Sequence, residues 1–103
     1  MGVDVEEIAE KVLKSRRLYM KEKEEILAIN SSLGEIESSV RIWSIKEAMS
    51  KAIGINLAQS WEKVGIKEVG QNESLVFMEK HEYTAIHDTL DNHLFTMIIE
   101  NIK

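Results

Sequence analysis

The polar residues best suited to chemistry crowd toward the C-terminus, where His81, His87, Asp88, Asp91 and His93 fall within 13 residues. On a helix, His87 and Asp91 stand four apart and share a face, a spacing at which imidazole and carboxylate can chelate a metal ion. The rest of the set points elsewhere: at about 100° per residue His93 lies about 120° from His87, and His81 aligns with Asp88 instead. Two ligands do not make a site, so neither a metal centre nor any other cofactor is expected. Nucleophilic chemistry finds no motif either. There is no Cys and no Gly-x-Ser-x-Gly elbow, and Gly54, Gly65 and Gly70 are too scattered for a dinucleotide fingerprint or a P-loop. No catalytic residue is assigned, and a non-enzymatic role is the expectation.

Charge is concentrated near the other end. Lys11, Lys14, Arg16, Arg17, Lys21 and Lys23 put six cations into 13 residues. Glu7–Lys11 and Glu10–Lys14 are i, i+4 pairs in the favourable order, so most of this run reads as a solvated salt-bridge face. Arg16 differs, because on a helical wheel it falls inside an apolar arc with Val5, Val12, Met20 and Leu27. A charge there needs a partner or a route to solvent, and Asp88 or Asp91 is the expected partner in a buried ion pair.

The stretch from Met49 to Val64 resembles a helix-turn-helix, with small Ser50, Gly54 at the turn, and Ile53 and Ile55 apolar. The resemblance implies a nucleic-acid-binding regulator in which Gln59, Ser60 and Lys63 face the duplex and a following hairpin serves as a wing. Duplex DNA rewards several Lys/Arg contacts to phosphate, and this segment offers one, so nucleic acid is the second choice.

The elements that would position these residues follow from periodicity. The chain has 103 residues, a net charge of −5, no Pro and 44% hydrophobic residues, a composition for one domain, 1–103, with uninterrupted helices. Asp4 with Glu7 forms a capping-box pattern and Val3 with Ile8 a staple. Apolar residues then recur at helical spacing, predicting an amphipathic helix over about 4–29. A second capping pair, Ser32 and Glu35, opens a helix over about 33–53 that Gly54 closes. Asn56 and Gln59 cap a short helix over about 57–64. Residues 66–78 read either as a β-hairpin or as an extension of a last helix over about 82–101, on which Tyr83, Ile86, Leu90, Leu94, Met97 and Ile98 share a face. The expected fold is a mainly α bundle.

A first helix of this length would extend roughly 39 Å, against a radius of gyration of about 13 Å for such a chain. Its overhanging seam needs cover, and a second copy is the simplest. Ile8, Val12, Tyr19, Ile26 and Trp43 are the expected coiled-coil-like interface of a homodimer. The functional expectation is therefore a non-catalytic, self-associating adaptor, inhibitor or small regulatory subunit with a protein partner. No apolar run is long enough to span a membrane and the acidic N-terminus is unlike a signal peptide, so a cytoplasmic protein is expected.

Overall fold

Strict alternation governs the first segment. In Gly2–Glu7 (β1), Gly2 and Asp4 are buried while Val3 and Val5 are exposed, the period of a strand and not of a helix. The structure, a computed structural model, describes residues 2–101. After β1 come a 3₁₀ segment at Glu10–Ser15, one helical turn at Arg16–Tyr19 (α1), then Glu22–Asn30 (α2), Glu35–Ile53 (α3) and Leu57–Lys63 (α4). Four strands complete the chain: Gly65–Glu68 (β2), Glu73–Met78 (β3), His81–Leu90 (β4) and His93–Glu100 (β5). They join β1 in one antiparallel five-stranded sheet of order β1-β5-β4-β3-β2. The expected mainly helical bundle is thus replaced by an α/β fold.

The helix expected over 82–101 is instead the two strands β4 and β5, and the one expected over 4–29 is divided into β1, the 3₁₀ segment, α1 and α2. On β4 and β5, Tyr83, Ala85, His87, Leu94, Thr96 and Ile98 are buried, whereas Ile86, Leu90, Phe95 and Ile99 are exposed on the other face. With apolar residues on both faces, period 2 is masked and an accidental 3.6-residue spacing stands out. The turn between the strands has a clear signature. Asp91 and Asn92 sit at φ 50 and 60, the left-handed pair of a two-residue hairpin loop, which Asp and Asn tolerate. On β1 the usual pattern is inverted, with carboxylate in and valine out, so valines that look like a helix seam belong to a strand.

The helix expected over 33–53 is found as α3. Its C-terminal Gly54 adopts φ 71, although its N-cap is Gly34 and makes no side-chain bond, so the Ser32–Glu35 box does not form. Asn56 and Gln59 do form their reciprocal box, at 2.9 and 3.2 Å, and residues 66–78 do contain a hairpin, β2 with β3.

Helix α3 lies against β1 and β5. Its Ile42, Ile45 and Met49 share one core with Tyr19, Val76, Ala85 and Ile98. Lys46 is buried in that core and paired with Glu24 of α2 at 2.6 Å. It also donates to the Trp61 carbonyl at 3.0 Å, while Glu24 accepts from the Ile66 N–H at 3.2 Å, so this pair ties α2, α3, α4 and β2 together. The radius of gyration is 12.1 Å and the longest extent 33 Å.

Candidate active site

Where α3 crosses β1, the strand carries Gly2. A Cβ there would lie 2.0 Å from the Ala48 carbonyl oxygen, so glycine lets the helix approach the strand backbone. The helix face so seated presents Ser44, Glu47 and Lys51, at i, i+3 and i+7, to the inward face of β1. Asp4 is 6% exposed. Its Oδ2 accepts from the Ser44 hydroxyl at 2.9 Å, and its Oδ1 lies 3.4 Å from Lys51 Nζ, which also donates to the Val3 carbonyl at 3.1 Å.

Two residues along the strand, Glu6 faces the same way. Burial, a hydrogen-bonding contact with Asp4 and the charges of Asp4 and Glu47 push its carboxyl up to about 7, while the Trp43 side chain beside it acts in the opposite direction. Glu47 is also pushed up, first by burial and then by Asp4, with Lys51 opposing. Crowded, partly desolvated carboxylates of this kind mark functional sites. Glu6 and Trp43 line a cleft of about 290 Å³ with Glu7, Lys11, Ser15 and the side chains of Val12 and Val40. Trp43 is braced edge-on by the buried Tyr19 ring, with centroids 5.0 Å apart.

In donor chemistry the carboxylates suit a hard, oxygen-seeking divalent cation. They are not closed around a point: among the described residues no three His, Asp or Glu side chains are grouped to hold a metal ion. Magnesium commonly takes one or two carboxylates and fills its other positions with water and phosphate oxygens.

The residues singled out from the sequence are dispersed by the fold. Arg16 pairs with Glu25 at 3.1 Å and with Glu35, so its expected partnership with Asp88 or Asp91 does not form. Asp88 is exposed on β4, and Asp91 occupies the hairpin turn. The seam of Ile8, Val12, Tyr19, Ile26 and Trp43 is broken up because the continuous helix does not exist: Tyr19 is in the core, Val12 and Trp43 line the cleft, Ile26 is exposed on α2, and Ile8 follows β1. Gln59 serves the α4 cap, Ser60 is buried and donates to the Lys46 carbonyl at 2.6 Å, and only Lys63 is a free-standing surface cation of that trio. Of the histidines, His81 meets Glu100 at 3.3 Å, His93 contacts the Asp91 carbonyl, and His87 alone is buried.

Asp4, Glu6, Glu47 and Lys51 were not singled out from the sequence. The available signal was the alternation Val3-Asp4-Val5-Glu6, which places two carboxylates on one strand face, together with Ser44, Glu47 and Lys51 at helical spacing on α3.

The sequence model of the 4'-phosphopantetheinyl transferase superfamily matches residues 1–97, a span that includes β1, α3 and every residue of the cleft. This overturns the expectation of a non-catalytic, coiled-coil-like adaptor, and it lends no support to the nucleic-acid regulator. No curated protein matches the chain. With its site built from a strand and a helix that the match covers in full, the chain belongs to the 4'-phosphopantetheinyl transferase superfamily.

Proposed function

We propose that this chain transfers a 4'-phosphopantetheinyl group from coenzyme A to a hydroxyl of an acceptor, such as a serine of a carrier protein. The observation that carries this reading is the cluster of Asp4, Glu6 and Glu47 beside a cleft, in a chain of this family. In such a transfer the acceptor oxygen bonds to phosphorus, the phosphoanhydride bond to the nucleotide breaks, and the hydroxyl proton needs a base. Asp4 and Glu47 are the residues that would hold a magnesium ion. When bound, that ion neutralises charge on the phosphate oxygens of the donor. Glu6 reaches into the cleft with a carboxyl pushed up to about 7, a value suited to accepting a proton near neutral pH. Lys11 in the cleft lining and Lys51 beside Asp4 supply positive charge for an anionic donor.

The test is transfer from coenzyme A to an apo carrier protein with Mg²⁺, read as a mass increment on the acceptor. Asp4→Asn and Glu47→Gln should lose at least about 100-fold in rate, the scale of removing one electrostatic contact from a reacting centre, while remaining folded. Glu6→Gln, which keeps the shape of the side chain but cannot accept the hydroxyl proton, should lower the rate by about 100-fold or more at neutral pH. Full activity in Asp4→Asn would sink the reading.

Cytoplasmic action belongs to the same proposal; among the described residues no helix is long and apolar enough to cross a membrane. Self-association belongs to it too, relocated from a helix seam to the uncovered face of the sheet. There Val3, Val5, Ile86, Phe95 and Ile99 are all exposed, and register brings Val3, Met97 and Ile86 into one row and Val5 beside Phe95.

A further inference from the structure

The inner face of the sheet carries a polar row that leads to Asp4 through residues to which the transfer chemistry gives no part. His87 on β4 stands opposite Thr96 on β5, and Thr96 stands opposite Asp4 on β1. The three are 3, 2 and 6% exposed. Ser44 reaches down from α3 to both Asp4 and Thr96, at 2.9 and 2.8 Å. His87 Nδ1 lies 3.0 Å from Thr96 Oγ1, and its Nε2 lies 2.8 Å from Ser74 Oγ. Ser74 in turn accepts from the Gly70 backbone N–H at 3.2 Å. The row is thus one unbroken chain of hydrogen bonds, from the β2–β3 connection to the Asp4 carboxylate.

Proton counting gives that chain a direction. A carboxylate only accepts, and a hydroxyl has one proton to donate. Ser44 therefore spends its proton on Asp4 and must accept from Thr96. Thr96, having donated to Ser44, must accept from His87 Nδ1–H. Ser74 has two partners among the described residues, the Gly70 N–H and His87 Nε2, so its own proton goes to Nε2. Every donor points toward Asp4, and the ring is neutral with its proton on Nδ1. Burial, aided by the nearby Arg41 guanidinium, pushes His87 down to about 4, in keeping with a neutral ring.

We infer that His87 is a positioning residue which, through Thr96 and Ser44, holds Oδ2 of the Asp4 carboxylate and so turns Oδ1, which faces Lys51 at 3.4 Å, toward the side from which a metal cation would approach. The alternative use of such a histidine is simple core filling. Core filling needs neither a defined tautomer nor a hydroxyl at positions 44 and 96. The inference rests on the reading of Asp4 as a metal-holding residue, so its test separates the two.

Long-range ¹H–¹⁵N correlation of the histidine rings reads the tautomer of His87 in the full chain, with His87→Asn assigning the signal. The expected result is Nδ1–H with a bare Nε2, and the opposite tautomer overturns the relay. Affinity for Mn²⁺ alone is then measured by electron paramagnetic resonance in the parent and in folded His87→Leu, Thr96→Val and Ser44→Ala chains. Each cut should weaken Mn²⁺ binding about tenfold. His87→Asn, whose amide N–H can take the place of Nδ1–H, should restore it to within about twofold of the parent. Parental Mn²⁺ affinity in His87→Leu and Thr96→Val, with binding lost in Asp4→Asn, overturns the inference. Parental affinity in Asp4→Asn itself overturns the metal reading of Asp4, and the tautomer still decides the relay.

Discussion

One oxygen of the Asp4 carboxylate meets Ser44 and the other faces Lys51, and this division of a single side chain sets the chemistry available at the cleft. Behind it, His87 contributes to stability with a definite sign. Its ring is held at about 4 against an ordinary 6.5, so between those values the unfolded chain binds more protons than the folded one. The stability from His87 is therefore fully present above about 6.5 and is lost as pH falls toward about 4. Chemical denaturation at a series of pH values should show this acid loss in the parent, and a shallower slope over the same window in His87→Asn. The identity of these residues was plain in the sequence, but their roles were not. The i, i+4 pairing of His87 with Asp91 requires a helix; here β4 ends at Leu90 and Asp91 sits in the hairpin turn, while the His87 ring is buried.

At the scale of elements, the approach of α3 to β1 depends on a missing side chain. Gly2→Ala would drive a methyl group into the Ala48 carbonyl, 2.0 Å from the ideal Cβ position. The helix must shift outward, at a cost of about 1–3 kcal/mol typical of overpacking. Denaturant titration checks the stability, and the transfer assay should report a larger relative loss than the stability change alone, because Ser44, Glu47 and Lys51 move together. The Lys46–Glu24 pair tests the joint between helices. Lys46→Met leaves a buried carboxylate without its cation, and should destabilise by about 3 kcal/mol, the lower end for a broken buried pair. That end is chosen because Glu24 keeps the Ile66 and Lys21 N–H donors. Adding Glu24→Gln, which removes the charge but keeps an acceptor, should recover much of the loss. Helix α3, its Gly54 end and the Asn56–Gln59 cap were legible because they rest on contacts within a few residues. Strand β1 was not, since its pairing partner β5 lies at the far end of the chain; β4 and β5 are joined by a two-residue turn, and apolar residues on both of their faces hid the period of 2.

Across the whole molecule, the sheet is covered on one face and bare on the other. The bare face carries Val3, Val5, Ile86, Phe95 and Ile99, all exposed, and a contiguous apolar surface of this kind usually meets a partner. Light scattering over a dilution series should give a mass above that of one 11.8 kDa chain. Val5→Glu with Phe95→Glu, neighbours in register across β1 and β5, should shift it to the monomer without unfolding. An unchanged mass in that double variant would place any self-association elsewhere. These side chains point away from the inner face that holds Asp4, so the variant also asks whether activity needs the assembled form.

Local chemistry alone determined α3, α4 and the left-handed stop at Gly54. In each, the signal and the structure it specifies lie within a few residues of one another. Tertiary structure decided the rest. Val3-Asp4-Val5-Glu6 is compatible with a helix start or with an edge strand, and pairing with β5 selects the strand. Once it is a strand, Asp4 and Glu6 must face the helix layer, and Gly2 allows α3 to bring Ser44, Glu47 and Lys51 down onto them. The site is a product of strand register and helix seating, two long-range properties that no linear spacing of its residues contains.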